Sequence, residues 1–386
     1  MNKGKTKIGL LNFHYSKYNY GAVLQAAALA NVIAELGYNV EHIDYKRGQK
    51  HKITPRFILS EGLNFFKIRS FLKIILGKEK PGIVKHKVTG GEVFDDFRNS
   101  WIPTGDEEYY FPNELKDVGN LYETVVVGSD QVWRVSPGDK DFASVYFLDF
   151  LPDETRRVAY AASFGFDTWL SSKNKKFTNY VGTLLNKFSS VSVRENTGVD
   201  ICSKVFNTDA CHVLDPTLLR GVGYFETIIS EVDTPIQKNN IVYYKLDLPV
   251  DFSITLKALE DDLSVSSENI YYQLVGSEYK YINVPTWLAK IRDSKLVITD
   301  SFHCVCMAIL FNKEFICLSN KSRGLTRLES LLSMLDLSDR LLPDDTSDLP
   351  HVVEKLTKIN FDKVNDTLAR HQVKSLDFLA NALKTK

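Results

Sequence analysis

The feature that most limits the fold is a repeated pattern. A short apolar run is followed by a polar or glycine-bearing turn, then by a segment of helical period. Residues 7–13 (KIGLLNF) form the first run, Tyr20-Gly21 follow, and a periodic segment over 22–36 is stopped by Gly37. Residues 39–45 (NVEHIDY) make the next run. The same unit recurs at 124–127 (TVVV), 157–162 (RVAYAA), 188–193 (FSSVSV) and 211–214 (CHVL). A second series holds runs at 241–246, 269–274, 295–299 and 314–318, with helical segments near 254–262 and 287–294. Short buried strands alternating with helices specify parallel, doubly wound sheets. The expected class is α/β: two Rossmann-like domains facing a cleft. The first spans 1–215 with a basic helical insertion at 46–115, and the second spans 216–360. A terminal helix at 361–386 is expected to pack back on the first domain.

Composition narrows the function. A chain of 386 residues accommodates two or three domains. With 44% apolar and 25% charged residues it is neither disordered nor fibrous. Lys plus Arg and Asp plus Glu both number 48, so the basic excess of a nucleic-acid binder is missing and no nucleic-acid partner is expected. The five cysteines include no CxxC pair, which gives neither a disulfide framework nor a zinc ribbon. Cys304 and Cys306 stand among apolar residues and read as small core side chains. No HExxH or comparable ligand motif is present, so no metal is expected. The first apolar run is too short for a signal-peptide core, and no stretch reaches the ~18 apolar residues of a membrane span. A cytoplasmic location is expected.

Residues 46–87 differ from the rest. They carry twelve Lys or Arg against two acidic residues, interleaved with Phe57, Phe65, Phe66, Phe71 and other apolar side chains. Two readings stand: a helical subdomain with a basic solvated face, or a face for an anionic membrane or a lipid-linked phosphate substrate.

In open α/β sheets the site forms at the carboxyl ends of the strands, so the turns after each run hold the candidates. No GxGxxG or Walker A sequence follows the first run, which argues against a classical dinucleotide fold or a phosphate-loop ATPase. Asn19 and Gly21 either hold an anion at a helix start or form a capped turn. Ser129, Asp130 and Gln131 either cap a helix or recognise sugar hydroxyls. Arg194 presents a fork matched to a carboxylate or phosphate, or else pairs with Glu195. Asp300-Ser301-Phe302-His303 is the sharpest cluster: a His at a strand mouth can protonate a reacting group or bind phosphate, with Asp300 placed to fix its tautomer. Arg323 and Arg327 follow the next strand and are candidates for the same anion pocket. His14 and His212 have no charged partner within their motifs and read as structural.

Taken together and in order, these turns resemble the polysaccharide pyruvyl transferase family. The resemblance is carried by Asn19-Tyr20-Gly21-Ala22-Val23-Leu24-Gln25, Val127-Gly128-Ser129-Asp130-Gln131-Val132-Trp133 and Tyr160-Ala161-Ala162-Ser163-Phe164-Gly165. It continues through Ser192-Val193-Arg194-Glu195, Leu214-Asp215-Pro216-Thr217, Thr299-Asp300-Ser301-Phe302-His303 and Arg327-Leu328-Glu329-Ser330-Leu331-Leu332. It implies a glycosyltransferase-B-like architecture and transfer of pyruvate from phosphoenolpyruvate to two hydroxyls of a sugar, with no cofactor beyond that co-substrate. It further implies that Arg194 and His303 hold the donor, with His303 as acid; Ser301, Arg323 and Arg327 are candidates for the same donor pocket. Asn19, Gly21, Ser129, Asp130, Gln131 and Ser163 would line the acceptor side, with Asp130 as base and Asp215 and Asp300 behind them. The implied acceptor is a sugar or lipid-linked glycan, with peripheral contact to an anionic membrane. Where members of the family carry Arg-Leu-His, this chain has Ser301-Phe302-His303, one cation fewer. The competing expectations are a nucleotide-sugar glycosyltransferase and a non-catalytic glycan-binding relative.

Overall fold

A computed structural model describes residues 7–47, 86–135, 140–232, 238–344 and 349–384. Strands β1 (Lys7–Leu11), β2 (Asn39–Tyr45), β3 (Val88–Thr89), β4 (Thr104–Tyr109), β5 (Thr124–Val127), β6 (Arg156–Ala162), β7 (Ser190–Val193) and β8 (Cys211–His212) belong to the first half. All but β3 join one sheet in the order β4-β2-β1-β5-β6-β7-β8, with every neighbour parallel. The second half contributes β9 (Ile241–Tyr244), β10 (Ser267–Asn269), β11 (Tyr272–Val275), β12 (Glu278–Tyr281), β13 (Leu296–Thr299), β14 (Glu314–Leu318) and β15 (Leu341–Leu342). Its parallel sheet runs β10-β9-β13-β14-β15. The chain is an α/β protein with two Rossmann-like halves. β5 (TVVV) and β13 (LVIT) are buried along their whole length, as strands covered on both faces must be.

Helix α1 (Tyr20–Glu35) starts where the Asn19 side chain accepts the Ala22 amide at 3.2 Å, and the turn that ends it is completed by Gly37 at φ 94°. Its first turn is held by the other half. The Tyr20 ring stacks on Trp287 at 4.8 Å, and its hydroxyl donates to the Ile282 carbonyl at 2.6 Å. One apolar cluster consequently runs from α1 through Trp287 and Val297 to Phe315. Helices α2 (Asn196–Phe206), α3 (Pro216–Arg220), α4 (Phe302–Leu310) and α5 (Thr326–Met334) begin beside the cleft. The last helix, α6 (Phe361–Leu383), returns to the first sheet. Leu379, Ala382 and Leu383 pack with Ile8, Leu10 and Val158, and the Ser375 hydroxyl accepts the Leu214 amide at 3.0 Å.

The structure departs from the sequence reading in two places. Residues 269–274 are not one strand. Asn269 Oδ1 accepts the Tyr271 amide at 2.8 Å, an Asx turn that ends β10 and sends β11 into a separate hairpin with β12. The insertion expected over 46–115 does not stay helical to its end, because Thr104–Tyr109 is an edge strand paired with β2. Most of the basic stretch at 46–87 lies outside the described residues. Just beyond it, β3 pairs with β12 of the second half. Among the described residues no helix is long and apolar enough to cross a membrane.

Candidate functional site

The carboxyl ends of β5, β7, β8 and β13 converge on one buried cluster. Arg194 follows β7 and is 3% exposed. Its Nη1 donates to Asp215 Oδ2 at 2.8 Å, and its Nη2 lies 3.4 Å from Asp130 Oδ1. Burial works against the charge of Arg194, but the carboxylates of Asp215 and Asp130 outweigh it and raise its pKa. His303, in the first turn of α4, places Nε2 at 3.4 Å from Arg194 Nη1 and at 3.6 Å from Asp215 Oδ2. Asp215 is the hub. Its Oδ2 also accepts the Ser129 hydroxyl at 2.8 Å, and its Oδ1 accepts the Thr217 amide and hydroxyl at 3.0 and 2.7 Å. Burial opposes its ionisation, yet His303 and Arg194 hold its carboxyl well below the usual carboxylate range.

Asp130 sits at φ 80°, a left-handed conformation that a non-glycine residue seldom adopts and that concentrates at functional sites. A bulge helps to hold it there. The register of β6 against β7 shifts between Ala159 and Ala162, Ala161 stands at φ 53°, and the Ser163 amide donates to the Asp130 carbonyl at 3.0 Å. Burial raises the pKa of Asp130, and the charges of Arg194, His303 and Arg327 bring it below the ordinary value.

Arg327, near the start of α5, supplies a second guanidinium. Arg194 and Arg327 both lie over the Phe302 ring, at 4.5 and 5.6 Å. Arg327 is buried. Its Nη2 donates to the Arg323 carbonyl at 2.9 Å; among the described residues its Nε has no hydrogen-bond partner and no carboxylate lies within ion-pair distance. Burial, and then the neighbouring Arg194, push its pKa down to about 10. A buried cation without a carboxylate is costly unless an anion completes it. Neighbouring Glu195 is fully buried. Its Oε1 accepts the Ser163 hydroxyl and the Phe164 amide at 3.0 and 2.8 Å, and burial raises its pKa.

Two glycines set how closely the halves meet. A Cβ on Gly21 would collide with the His303 imidazole, so the start of α1 is cut to fit that ring. A Cβ on Gly324, at φ 81°, would run into the Gly165 carbonyl, so backbone meets backbone across the cleft.

A family model described as polysaccharide pyruvyl transferase matches residues 19–322, most of the chain and all of this cluster except Arg327. The chain belongs to the polysaccharide pyruvyl transferase family. No curated protein matches it. Among solved structures, the UDP-GlcNAc 2-epimerase of Neisseria meningitidis bound to UDP-GlcNAc aligns with TM-score 0.51 and 8% identity, covering 97% of this chain and 99% of that one. Arabidopsis thaliana UGT89C1 aligns with TM-score 0.50 and 9% identity, over 98% and 99% of the two chains. At such identities the likeness is one of fold.

In this member of the polysaccharide pyruvyl transferase family, the sequence candidates divide. Arg194, His303, Asp130, Asp215, Ser129 and Arg327 come together. Arg323 does not join them: it is exposed and pairs with Asp247 at 3.2 Å. Asp300 does not orient His303. Burial raises its pKa, and it accepts the Leu246 amide and the Asn320 side chain at 2.8 and 3.1 Å. Asp215 holds that place instead. Asn19 is committed to capping α1, Ser163 to Glu195, and the Gln131 carbonyl to Arg134 at 2.9 Å. Ser301 is the N-cap residue of α4 without a side-chain cap bond, beside His303. His212 Nε2 contacts the Arg194 carbonyl at 3.1 Å. His14 has the charged partner that its motif did not show, Asp44 at 3.0 Å. Glu195 is not the ion-pair partner of Arg194 that the sequence suggests; Asp215 and Asp130 are. Its place next to Arg194 was visible, but its bonds to Ser163 and Phe164 were not.

Proposed function

We infer that the protein transfers a pyruvyl group from phosphoenolpyruvate to two hydroxyls of a sugar, in a polysaccharide or its precursor, forming a cyclic ketal. The observation that carries this reading is the pair of buried guanidiniums beside His303, of which only Arg194 has carboxylate partners. A small, highly charged anion with a carboxylate at one end and a phosphate at the other suits such a pair. Membership of the family and the sugar-handling fold support the same reading.

The chemistry balances without a further reactant. His303 gives a proton to the methylene carbon of phosphoenolpyruvate, which becomes the methyl group. The second carbon takes on oxocarbenium character beside the electrostatic field of Arg194 and Arg327. A sugar hydroxyl attacks that carbon, and Asp130 takes its proton. The carbon–oxygen bond to phosphate then breaks, and the second hydroxyl closes the ring. Two hydroxyl protons leave: one restores His303 and the other departs with phosphate. Asp215 keeps His303 oriented throughout. Arg194 and His303 are buried in this arrangement, so donor entry requires the loops at Gly165 and Gly324 to part and close again. The setting inferred is the cytoplasm, on a sugar or lipid-linked glycan.

The test is release of inorganic phosphate from phosphoenolpyruvate in the presence and absence of candidate glycans. The expected result is release that depends on acceptor and falls about 10²–10⁴-fold in folded His303→Ala. Acceptor-dependent release that is unchanged in that variant would remove His303 as the acid. Transfer from a nucleotide sugar with no use of phosphoenolpyruvate would replace the whole reading.

A further inference from the structure

A second group of polar side chains, buried at His14 and Asp44, sits at the same edge of the first sheet, at the carboxyl ends of β1, β2 and β4. His14 Nε2 lies 3.0 Å from Asp44 Oδ1, while Lys46 reaches Asp44 Oδ2 at 3.0 Å and Glu108 at 2.5 Å. His14 is 2% exposed. Its Nδ1, a donor or an acceptor according to the proton on the ring, has no hydrogen-bond partner among the described residues. Leaving a buried polar atom unpaired is costly, so such an atom calls for a partner from outside the protein.

The dyad lines a cavity of about 730 Å³, walled also by Lys46, Arg98, Asn99 and Tyr110. That volume lies within the range of ~300–1,000 Å³ typical of small-molecule sites. Its charges select the ligand. Three cations, Lys17, Lys46 and Arg98, face four carboxylates, so the cationic excess that phosphate requires is missing. Donors and acceptors in mixed array beside aromatic Tyr15 and Tyr110 suit a neutral molecule with many hydroxyls. The connection from β1 to α1 carries His14 and Tyr15 at one end and Asn19–Gly21, against His303, at the other. Cavity and cationic cluster therefore share one loop at one edge of one sheet.

We propose that this cavity binds a neutral sugar residue of the glycan acceptor, with Nδ1 of His14 hydrogen-bonded to a hydroxyl and Asp44 orienting the ring. The word acceptor rests on the pyruvyl-transfer reading; sugar binding rests on the cavity. The experiment is saturation-transfer NMR with the methyl glycosides of galactose, glucose, mannose and N-acetylglucosamine at millimolar concentration. At least one should receive saturation from the wild type. His14→Gln should lose that signal, and so should Asn99→Trp, which fills the rim from an exposed helix position and spares the core; the loss should be about tenfold or more. Arg194→Ala should keep the sugar signal and lose phosphoenolpyruvate binding. No signal from any of the four glycosides, or a full signal in folded Asn99→Trp, overturns the proposal. Calorimetry with phosphoenolpyruvate on the same samples separates the two readings: donor binding without sugar binding sinks this inference alone.

Discussion

Gly21 and Glu195 show what single residues decide at this site. An alanine at position 21 would favour helix α1 by about 0.5–1 kcal/mol on propensity alone. Its Cβ would nevertheless collide with the His303 imidazole, and the ring must move. Gly21→Ala is therefore expected to keep its helical circular dichroism and, on the inferred role of His303 as acid, to lose about 10² or more in turnover. Full activity in that variant would mean that the ring position does not matter. Glu195 is a test of sign. Burial raises its pKa, so the folded protein holds its proton more tightly than the unfolded chain. Stability then falls as pH rises above the ordinary glutamate value of about 4.3 and through the folded pKa. Glu195→Gln removes that dependence, so thermal midpoints should shift in favour of the variant as pH rises toward neutrality. A difference that stays constant with pH contradicts the raised pKa. Asp130 and Asp215 act in the opposite sense: their pKa values are lowered, and what they contribute is lost as pH falls below the ordinary carboxylate range. Local spacing exposed Arg194 and His303 because each follows a strand directly. It misassigned the carboxylate partner of His303, because Asp215 is brought in by β8 and not by β13, the strand that ends at His303's own turn.

At the scale of elements, the strand ends were legible because each buried strand is short, β-branched and stopped by a polar turn. The hairpin β11–β12 was not, since an Asx turn at Asn269 breaks an apolar run whose periodicity continues across the break. Nor could spacing choose between Arg323 and Arg327. The first lies in a short 3-10 turn before α5 and points to Asp247; the second is inside the first turn of α5, facing Phe302. Helix α6 is where sequence and packing agree. Leu379 is fully buried against the first sheet, whereas Leu376, three residues earlier, is 39% exposed. Leu379→Ala should cost about 2–5 kcal/mol in denaturant unfolding. Leu376→Ala should stay within about 0.5 kcal/mol. Equal effects would mean that α6 is not held on the sheet by that face.

For the whole molecule, the account depends on two sheets presenting their carboxyl ends to one another. β7 and β8 bring Arg194 and Asp215, β5 brings Asp130, and the second sheet brings His303 and Arg327. The close backbone approach of Gly165 and Gly324 marks how tightly the halves meet there. Fold and family could be read from the order of the turns. The cavity at His14 and Asp44 could not, because His14 follows β1, Asp44 lies on β2, and the two meet only once those strands pair. The central claim is that an incompletely paired guanidinium cluster exists to receive an anionic donor. Calorimetry with phosphoenolpyruvate on the wild type and Arg327→Met tests it most directly, with thermal midpoints measured on the same samples. The account predicts binding to the wild type, weakened about tenfold or more in the variant, whose midpoint is unchanged or raised because a buried charge without a carboxylate has been removed. Equal affinity in the two proteins, or no binding to the wild type, would contradict it.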